Sequence, residues 1–575
     1  MKRKKSISLV IIFAVVIMVA TSSIAYLLRS ITEKRFVDLY KAKIQALNLA
    51  EAAANRGVVE LRKRIRETLY YNVKNQTNFS IFENYTYNDY LGLLRDFANF
   101  SITNTTTASF YINGSAIDLS SDIKGNYNAI VIVKPDGEPQ RKGDKFIFQY
   151  NYTIEGTGKI VDIITIEKNI TLLGNHFNIT VQKENFARYA LFTNHCTMPS
   201  GQIVWFINQT KFTGPVHTND RFSFANNPSG YFSDEVTQHL TTARFYNQGQ
   251  TRLLNADSNP PYDVPTFEKG FQRGAGLINL PSSLTQQDLK KQATGNQNDD
   301  PWPNGIYLPN DGSGNLVGGI YIKGNTNSLI MEVDTNNRPV YTIRSGSNTK
   351  KITIDYNNNM TIVQDLSGSG GTPTGNYTGI PDGINNEGII IYGNGRIYNL
   401  SGTVQKDTKL TVSSDSDIVI NNHIMYQEYT PDNPETTDKN ELSAEGYNNL
   451  LGILTWNGNV RISTSAPNNL NIHAIVMAAG RNGIFTVDNY NWGSPRGTVT
   501  LLGGAITDFY GPFGTFSGQQ LLTGYGRNFI YDKRMLEGFF PAYFPYSGNL
   551  ISDDDGNLDK RPFWYDKDWQ NLGKN

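Results

Sequence analysis

Ser6-Ile-Ser-Leu-Val-Ile-Ile-Phe-Ala-Val-Val-Ile-Met-Val-Ala-Thr-Ser-Ser-Ile-Ala-Tyr-Leu-Leu28 is a run of 23 residues without a charge, opened by Lys2, Arg3, Lys4 and Lys5 and closed by Arg29. As a helix rising about 1.5 Å per residue it reaches about 35 Å, enough to cross a hydrocarbon core of about 30 Å. Three readings fit the run: a retained membrane anchor, a signal peptide cut after the small residues Ser23-Ile24-Ala25, or a pilin-type segment that begins in the membrane and then packs into a fibre. Continuation of the apolar pattern through Tyr26, Leu27 and Leu28 argues against cleavage, because a mature N-terminus is usually polar. The basic residues at 1–5 place the N-terminus in the cytoplasm and the bulk of the chain outside, as a single-pass membrane protein.

From residue 29 to residue 70 no proline interrupts a second helical pattern. Tyr40, Ile44, Leu47, Glu51, Ala54, Val58, Leu61 and Ile65 follow in steps of four and three, which predicts one helical face. That face is expected to pack either on the protein's own β structure, with Glu51 at its edge, or on neighbouring subunits, with Glu51 meeting a basic group there. Arg62, Lys63, Arg64 and Arg66 are expected to form a solvated face.

The 575 residues exceed one ordinary domain. With 52 acidic and 52 basic side chains there is no broad basic field, which argues against nucleic acid as a partner. Only 18% of residues are charged, and Gly, Asn, Thr and Tyr are plentiful, a mix suited to extracytoplasmic β structure with many turns. Cys196 is the single cysteine, so no internal disulfide forms; it is expected to be a small buried apolar residue rather than a metal ligand or nucleophile beside His195.

The fold class expected is mainly β with an N-terminal transmembrane and stalk helix: a pilin-like α+β region, then a β-solenoid, with a β-sandwich as the runner-up. In residues 71–185, strands are expected at Ala129–Val133, Lys145–Thr153, Lys159–Ile166 and Phe177–Val181, with Pro135-Asp-Gly137 and Gly156-Thr-Gly158 as turns between them. They form an antiparallel sheet that needs the stalk helix as a cover. Residues 186–545 are expected to be one β-rich ectodomain with a loop insertion near 246–304, holding a short helix at Ser283–Lys291. From Gly305 on, short strands recur about every ten residues, among them Ile472-His-Ala-Ile-Val-Met477, which suits stacked coils with Asn-Gly corners. Residues 546–575 are expected to be a polar tail.

Leu49-Ala-Glu-Ala-Ala-Ala54, following a basic-then-apolar start, resembles the N-terminal region of PilX-type minor pilins, proteins of type IV pilus or type II secretion-like systems. The resemblance implies a non-enzymatic role in fibre assembly or surface adhesion, with the membrane and pilin or pseudopilin subunits as partners of the stalk helix. Lys5 and Ser6 stand where the better-known pilins carry Gly and Phe at their cleavage site. Farther on, Gly214-Pro-Val-His-Thr-Asn219, Ile472–Ala479, Gly503–Ile506, Gly514–Phe516, Gly524–Arg527 and Tyr531–Arg534 together resemble an uncharacterised bacterial family with PilX-like N-termini and β-rich ectodomains; that family lends no residue a role.

No catalytic, cofactor-binding or metal residue is predicted. His176, His195, His217, His239, His423 and His473 show no zinc-type pairing. Asp553, Asp555, Asn557 and Asp559 echo a calcium loop, but the glycine is misplaced and no closing Glu follows; Asp311, Ser313 and Asn315 read the same way, as solvated turns. Asn78-Phe-Ser80 and Asn104-Thr-Thr106 have the form of glycan acceptors, which an Asn-rich chain produces by chance. The alternative to a structural role is a surface β-solenoid enzyme or binder acting on polysaccharide, with Asp355, Asp365, Asp415 and Asp417 as available carboxylates and a surface glycan as partner.

Overall fold

The structure, a computed structural model, describes residues 3–565 except 77, 116–124, 143–144, 162–164, 208–209, 226–229, 256–262, 368–371, 428–447, 518–519 and 561. The chain divides into unit 1, Met1–Lys183 with Gly548–Asn575, and unit 2, Glu184–Ser547. Unit 2 is therefore inserted between two parts of unit 1.

Unit 1 begins with the helix α1, Arg3–Lys63, which runs on through a π-helical turn at Arg64–Leu69 to Lys74. Short helices at Ile81–Tyr87 and Gly92–Ala98 follow. The sheet then forms from β1 (Ser101–Asn104), β2 (Thr107–Ser115), β3 (Asn126–Pro135), β4 (Gln140–Lys142), β5 (Lys145–Val161), β6 (Thr165–Leu173) and β7 (Phe177–Asn185). Its order is β1-β2-β3-β5-β6, and β7 shares β5 with β6: β6 pairs with the second half of β5 and β7 with the first. The tail differs from the polar extension expected. Tyr546–Asp554 is a strand on β7, and Phe563–Tyr565 pairs antiparallel with β6.

β5 is a single 17-residue strand, so Gly156-Thr-Gly158 is not a turn. Alternation runs straight through it: Phe146, Phe148, Tyr150, Tyr152, Ile154, Gly156, Gly158 and Ile160 are buried and the residues that alternate with them face outward. These side chains meet Leu49, Leu61, Ile65 and Leu69 of the helix, together with Leu550 and Leu558 of the tail, in one core.

Unit 2 is a stack of parallel coils. Its main sheet runs, in spatial order, through Ile320–Lys323, Ile389–Gly393, Lys409–Ser414, Leu450–Thr455, the end of Leu470–Ala478, the end of Pro495–Phe509, Leu191–His195, Val216–Thr218, Val236–Gln238 and Phe271–Arg273, every neighbouring pair parallel. Successive coils sit in register, as in Val216↔Val236 and Ile389↔Leu410. At about 4.8 Å per strand the sheet is about 43 Å long. Both of its faces are covered, and for that reason Leu450–Thr455 and Leu470–Ala478 are buried at every position and read as unbroken apolar runs. The helix Ser283–Thr294 lies over the first strands of this sheet through Leu289 and Ala293.

Two features depart from a simple coil. The chain enters seven strands along the stack at Leu191, proceeds to Phe271–Arg273 at one end, crosses to Ile320 at the other end, and returns until Ala505 pairs with Leu191. The strands Ser328–Val333, Pro339–Ser345, Asn348–Asp355 and Met360–Asp365, in a region expected to form coils, instead make an antiparallel meander that Thr372–Thr378 completes. The physical reason lies in the connections: Asn337, Gly346 and Asn359 adopt positive φ in tight turns, and tight turns join antiparallel neighbours whereas parallel ones need longer crossovers.

Within the coils, phenylalanines stack rung on rung. Phe212, Phe232 and Phe267 form one column, with ring centroids 5.7 and 5.4 Å apart, and Phe224 and Phe245 belong to a second at 5.6 Å.

Candidate interaction site on the stalk helix

The helix α1 has two dissimilar parts. From Leu9 to Ile44 its large apolar side chains are exposed on every side, Phe13 at 68% and Tyr26 at 76%. It is the one helix among the described residues long and apolar enough to cross a membrane. Isolated apolar side chains are ordinary on a protein surface, but a continuous sleeve of them requires an apolar surrounding.

Beyond Ile44 the helix docks on its own sheet. The buried face is Ala46, Leu49, Ala50, Ala53, Ala54, Gly57, Val58, Leu61 and Ile65. The expected stripe shares only its later members with this face: Tyr40 is 66% and Ile44 41% exposed, and Glu51 is exposed to solvent. Tyr40 and Ile44 belong to the half of the helix that is exposed on every side, and Glu51 falls at the edge of the docked face. Small residues set the approach. A Cβ on Gly158 would stand 2.1 Å from the Ala46 carbonyl oxygen, and one on Gly156 would stand 2.4 Å from that of Ala50. The Ala-rich segment is thus the half of a contact whose other half is Gly-x-Gly on β5. A break in β-branched residues within an otherwise regular alternation was the available signal for it.

The arginines after the docked segment are not a solvated face. Arg66 bonds both oxygens of Asp554 at 2.7 and 2.9 Å and both of Asp559 at 3.0 and 2.9 Å. Tyr70 donates to Asp554 at 2.8 Å, and Arg62 donates to the carbonyl of buried Leu558 at 2.8 Å. Arg64 lies 4.1 Å over the Phe110 ring. The calcium-like tail segment therefore acts as a clamp on the helix. Its Asp554 points inward, while Asp555 accepts from the backbone and side chain of Asn557.

Burial pushes the Asp554 carboxyl up, but Arg66 and Tyr70 outweigh it and hold it below the usual carboxylate range; Arg66 does the same to Asp559. A carboxylate depressed in the folded state stabilises above its unfolded value, about 3.9 for Asp, and that contribution is lost as pH falls through the lower folded value. Arg66→Met is expected to lower unit 1 stability by about 2 kcal/mol at pH 7. The gap between variant and parent closes below about pH 4, read from urea midpoints taken across that range.

The other residues weighed in the sequence are dispersed. Cys196 is buried, and burial raises its thiol well above the ordinary value. His217 stacks on Phe192 at 5.2 Å and contacts Thr237 and Asn219. His473 is fully buried, and burial, with Arg534 and His423 nearby, pulls it down to about 3, so it stays neutral. His176 contacts Asp136, and His195 stacks on Phe509. Asp355 and Asp365 stand at opposite ends of one hairpin, Asp415 accepts from Gln286, and Asp417 pairs with Arg396 and Arg461; the four do not converge. Asp311 closes a turn onto Ser313 and Asn315. Among the described residues no group of three or more His, Cys, Asp or Glu is placed to hold a metal ion.

Comparison with known proteins adds two findings. The family described as a domain of unknown function, DUF4900, matches residues 146–239, from the start of β5 into the third coil of unit 2. A solved structure, the competence-associated pilin ComZ from Thermus thermophilus, aligns over 91% of this chain and 96% of its own, at 10% identity and a TM-score of 0.29. At that score the likeness carries no argument about fold. No curated protein matches the chain.

Proposed function

We propose that this protein is an envelope-anchored, non-enzymatic structural component of a pilus-type or secretion-type fibre system, related to PilX-type minor pilins, and that it displays unit 2 outside the cell for assembly or adhesion. The observation that carries the reading is the single helix α1: an apolar half exposed on all sides, continuous with a small-residue half docked on Gly156 and Gly158. The first half suits a bilayer, or a bundle of similar helices, and the second fixes the sheet to it. The orientation proposed has residues 1–5 in the cytoplasm and the remainder outside.

The test is fractionation of cells that make the full chain, followed by isolation of envelope fibres and probing for this protein. It is expected in the membrane fraction and in fibres or their assembly complexes. Recovery only as a free protein, absent from both, overturns the reading. Mass spectrometry of the mature N-terminus separates its forms: a start at Met1 means a permanent anchor, at Ser6 pilin-style processing and at Tyr26 secretion.

A further inference from the structure

The path of the chain through unit 1 suggests how it carries tension. Ala46 lies over Gly158, Ala50 over Gly156 and Gly57 over Ile154, so the docked helix descends β5 in the antiparallel sense. Its membrane-proximal end is therefore at the Val161 end of β5. β7 pairs with the other end, Lys145↔Gln182 through Tyr150↔Phe177, and leaves toward unit 2 beyond Lys183. The tail strand returns beside it. Ser547 donates to Glu184 at 2.7 Å, and the Asp555 amide donates to the Asn178 carbonyl at 3.3 Å, so Tyr546–Asp554 runs antiparallel to β7. Both connections to unit 2 thus leave unit 1 from the same end of the sheet. Gly158 and Lys145, which mark the two ends of the load path, are about 44 Å apart along the strand.

We infer that unit 1 is a load-bearing joint, in which a pull between the anchored helix and unit 2 runs along the strands and is shared by two adjacent ones. Force parallel to a ladder strains its hydrogen bonds together, whereas force across it opens them one after another. The six β5–β7 register pairs, the tail strand and the Arg66 clamp onto Asp554 and Asp559 are all loaded in the first manner. The inference rests on the proposed anchoring of α1, since only a held helix and a pulled unit 2 load the sheet in this direction.

Single-molecule pulling of the full chain tests it without a membrane. One handle is a cysteine at Trp492→Cys, a 79% exposed site in unit 2; Cys196 is buried and does not compete for label. The second handle is either an N-terminal tag, which loads the strands lengthwise, or a cysteine at Gln140→Cys, an exposed site on β4 whose partner Ile147 on β5 is itself paired with Thr180 on β7, which loads the sheet crosswise. Unit 1 is expected to yield at clearly higher force with the N-terminal tag. Cutting the backbone at an inserted protease site after Ser547 leaves β7 alone under load, and the lengthwise force is expected to fall to about half, as fewer ladder bonds are strained together. Equal forces in the two directions overturn the inference. So does an unchanged lengthwise force after the cut, in protein whose unloaded melting temperature is unaltered. Either result leaves the anchoring proposal standing, because that is decided by fractionation.

Discussion

Gly158→Val strips the stalk helix from its sheet and lowers the stability of unit 1 by about 3 kcal/mol. The added Cβ would stand 2.1 Å from the Ala46 carbonyl oxygen, 2.6 Å from the Ala50 amide nitrogen and 2.7 Å from the Leu49 Cβ. Two of these are backbone atoms of a helix and cannot rotate away, so the helix as a whole must retreat from β5. That retreat opens the contacts of Leu49, Ala53 and Leu61 with the sheet. Glu155→Val, on the outer face of the same strand, is expected to change stability by no more than about 0.5 kcal/mol. Thermal unfolding of the detergent-solubilised chain reads the loss, and trypsin reads the geometry, because cleavage after Lys63 and Arg64 accelerates once the helix is undocked. Wild-type melting and cleavage in Gly158→Val would show that the close approach on β5 is not needed for docking.

The second large effect belongs to unit 2. Phe232→Ala removes the middle ring of the column between Phe212 and Phe267, and that ring also meets Phe206 at 6.2 Å and Phe224 at 6.0 Å. Phe232 is 1% exposed, so its loss costs transfer free energy and leaves a cavity, about 3–5 kcal/mol together. Tyr231→Ala, whose side chain faces outward at 38% exposure, serves as the control. Trp205, Trp302, Trp456 and Trp492 lie in unit 2 and Trp564 and Trp569 in unit 1, so comparing tryptophan fluorescence of Phe232→Ala with that of the control in a urea titration isolates the shift of the unit 2 transition. A midpoint for Phe232→Ala equal to that of the control would mean that the column does not bear on coil stability.

How far the sequence discloses this arrangement depends on the distance over which each feature acts. The exposed half of α1 is legible because 23 uncharged residues suffice to define it. The buried strands of the coil are legible as unbroken apolar runs, since a sheet covered on both faces has no alternation to show. The Gly-x-Gly of β5 is misread as a turn because two glycines ordinarily signal one, although Glu155, Thr157 and Lys159 keep the alternation going through them. A repeat also lies unread in the coils: Phe212 and Val216, Phe232 and Val236, Phe267 and Phe271 recur with the same internal spacing, offset by 20 residues in the register Val216↔Val236. Insertions of unequal length between coils hide it. The clamp has no local trace at all, because Arg66 and Asp554 are 488 positions apart and each is unremarkable among its sequence neighbours.

The order in which coils are laid down has a consequence for biosynthesis. A ribosome delivers Leu191–Arg273 early, but the surface on which Leu191 rests is Ala505–Phe509, made more than 300 residues later. Until then the early coils expose an unpaired strand edge, and they cannot be extended by simple addition of the next turn. Such delayed closure slows folding and invites mispairing between nascent chains. A chain in this condition depends on being kept apart from its siblings until its last strands emerge.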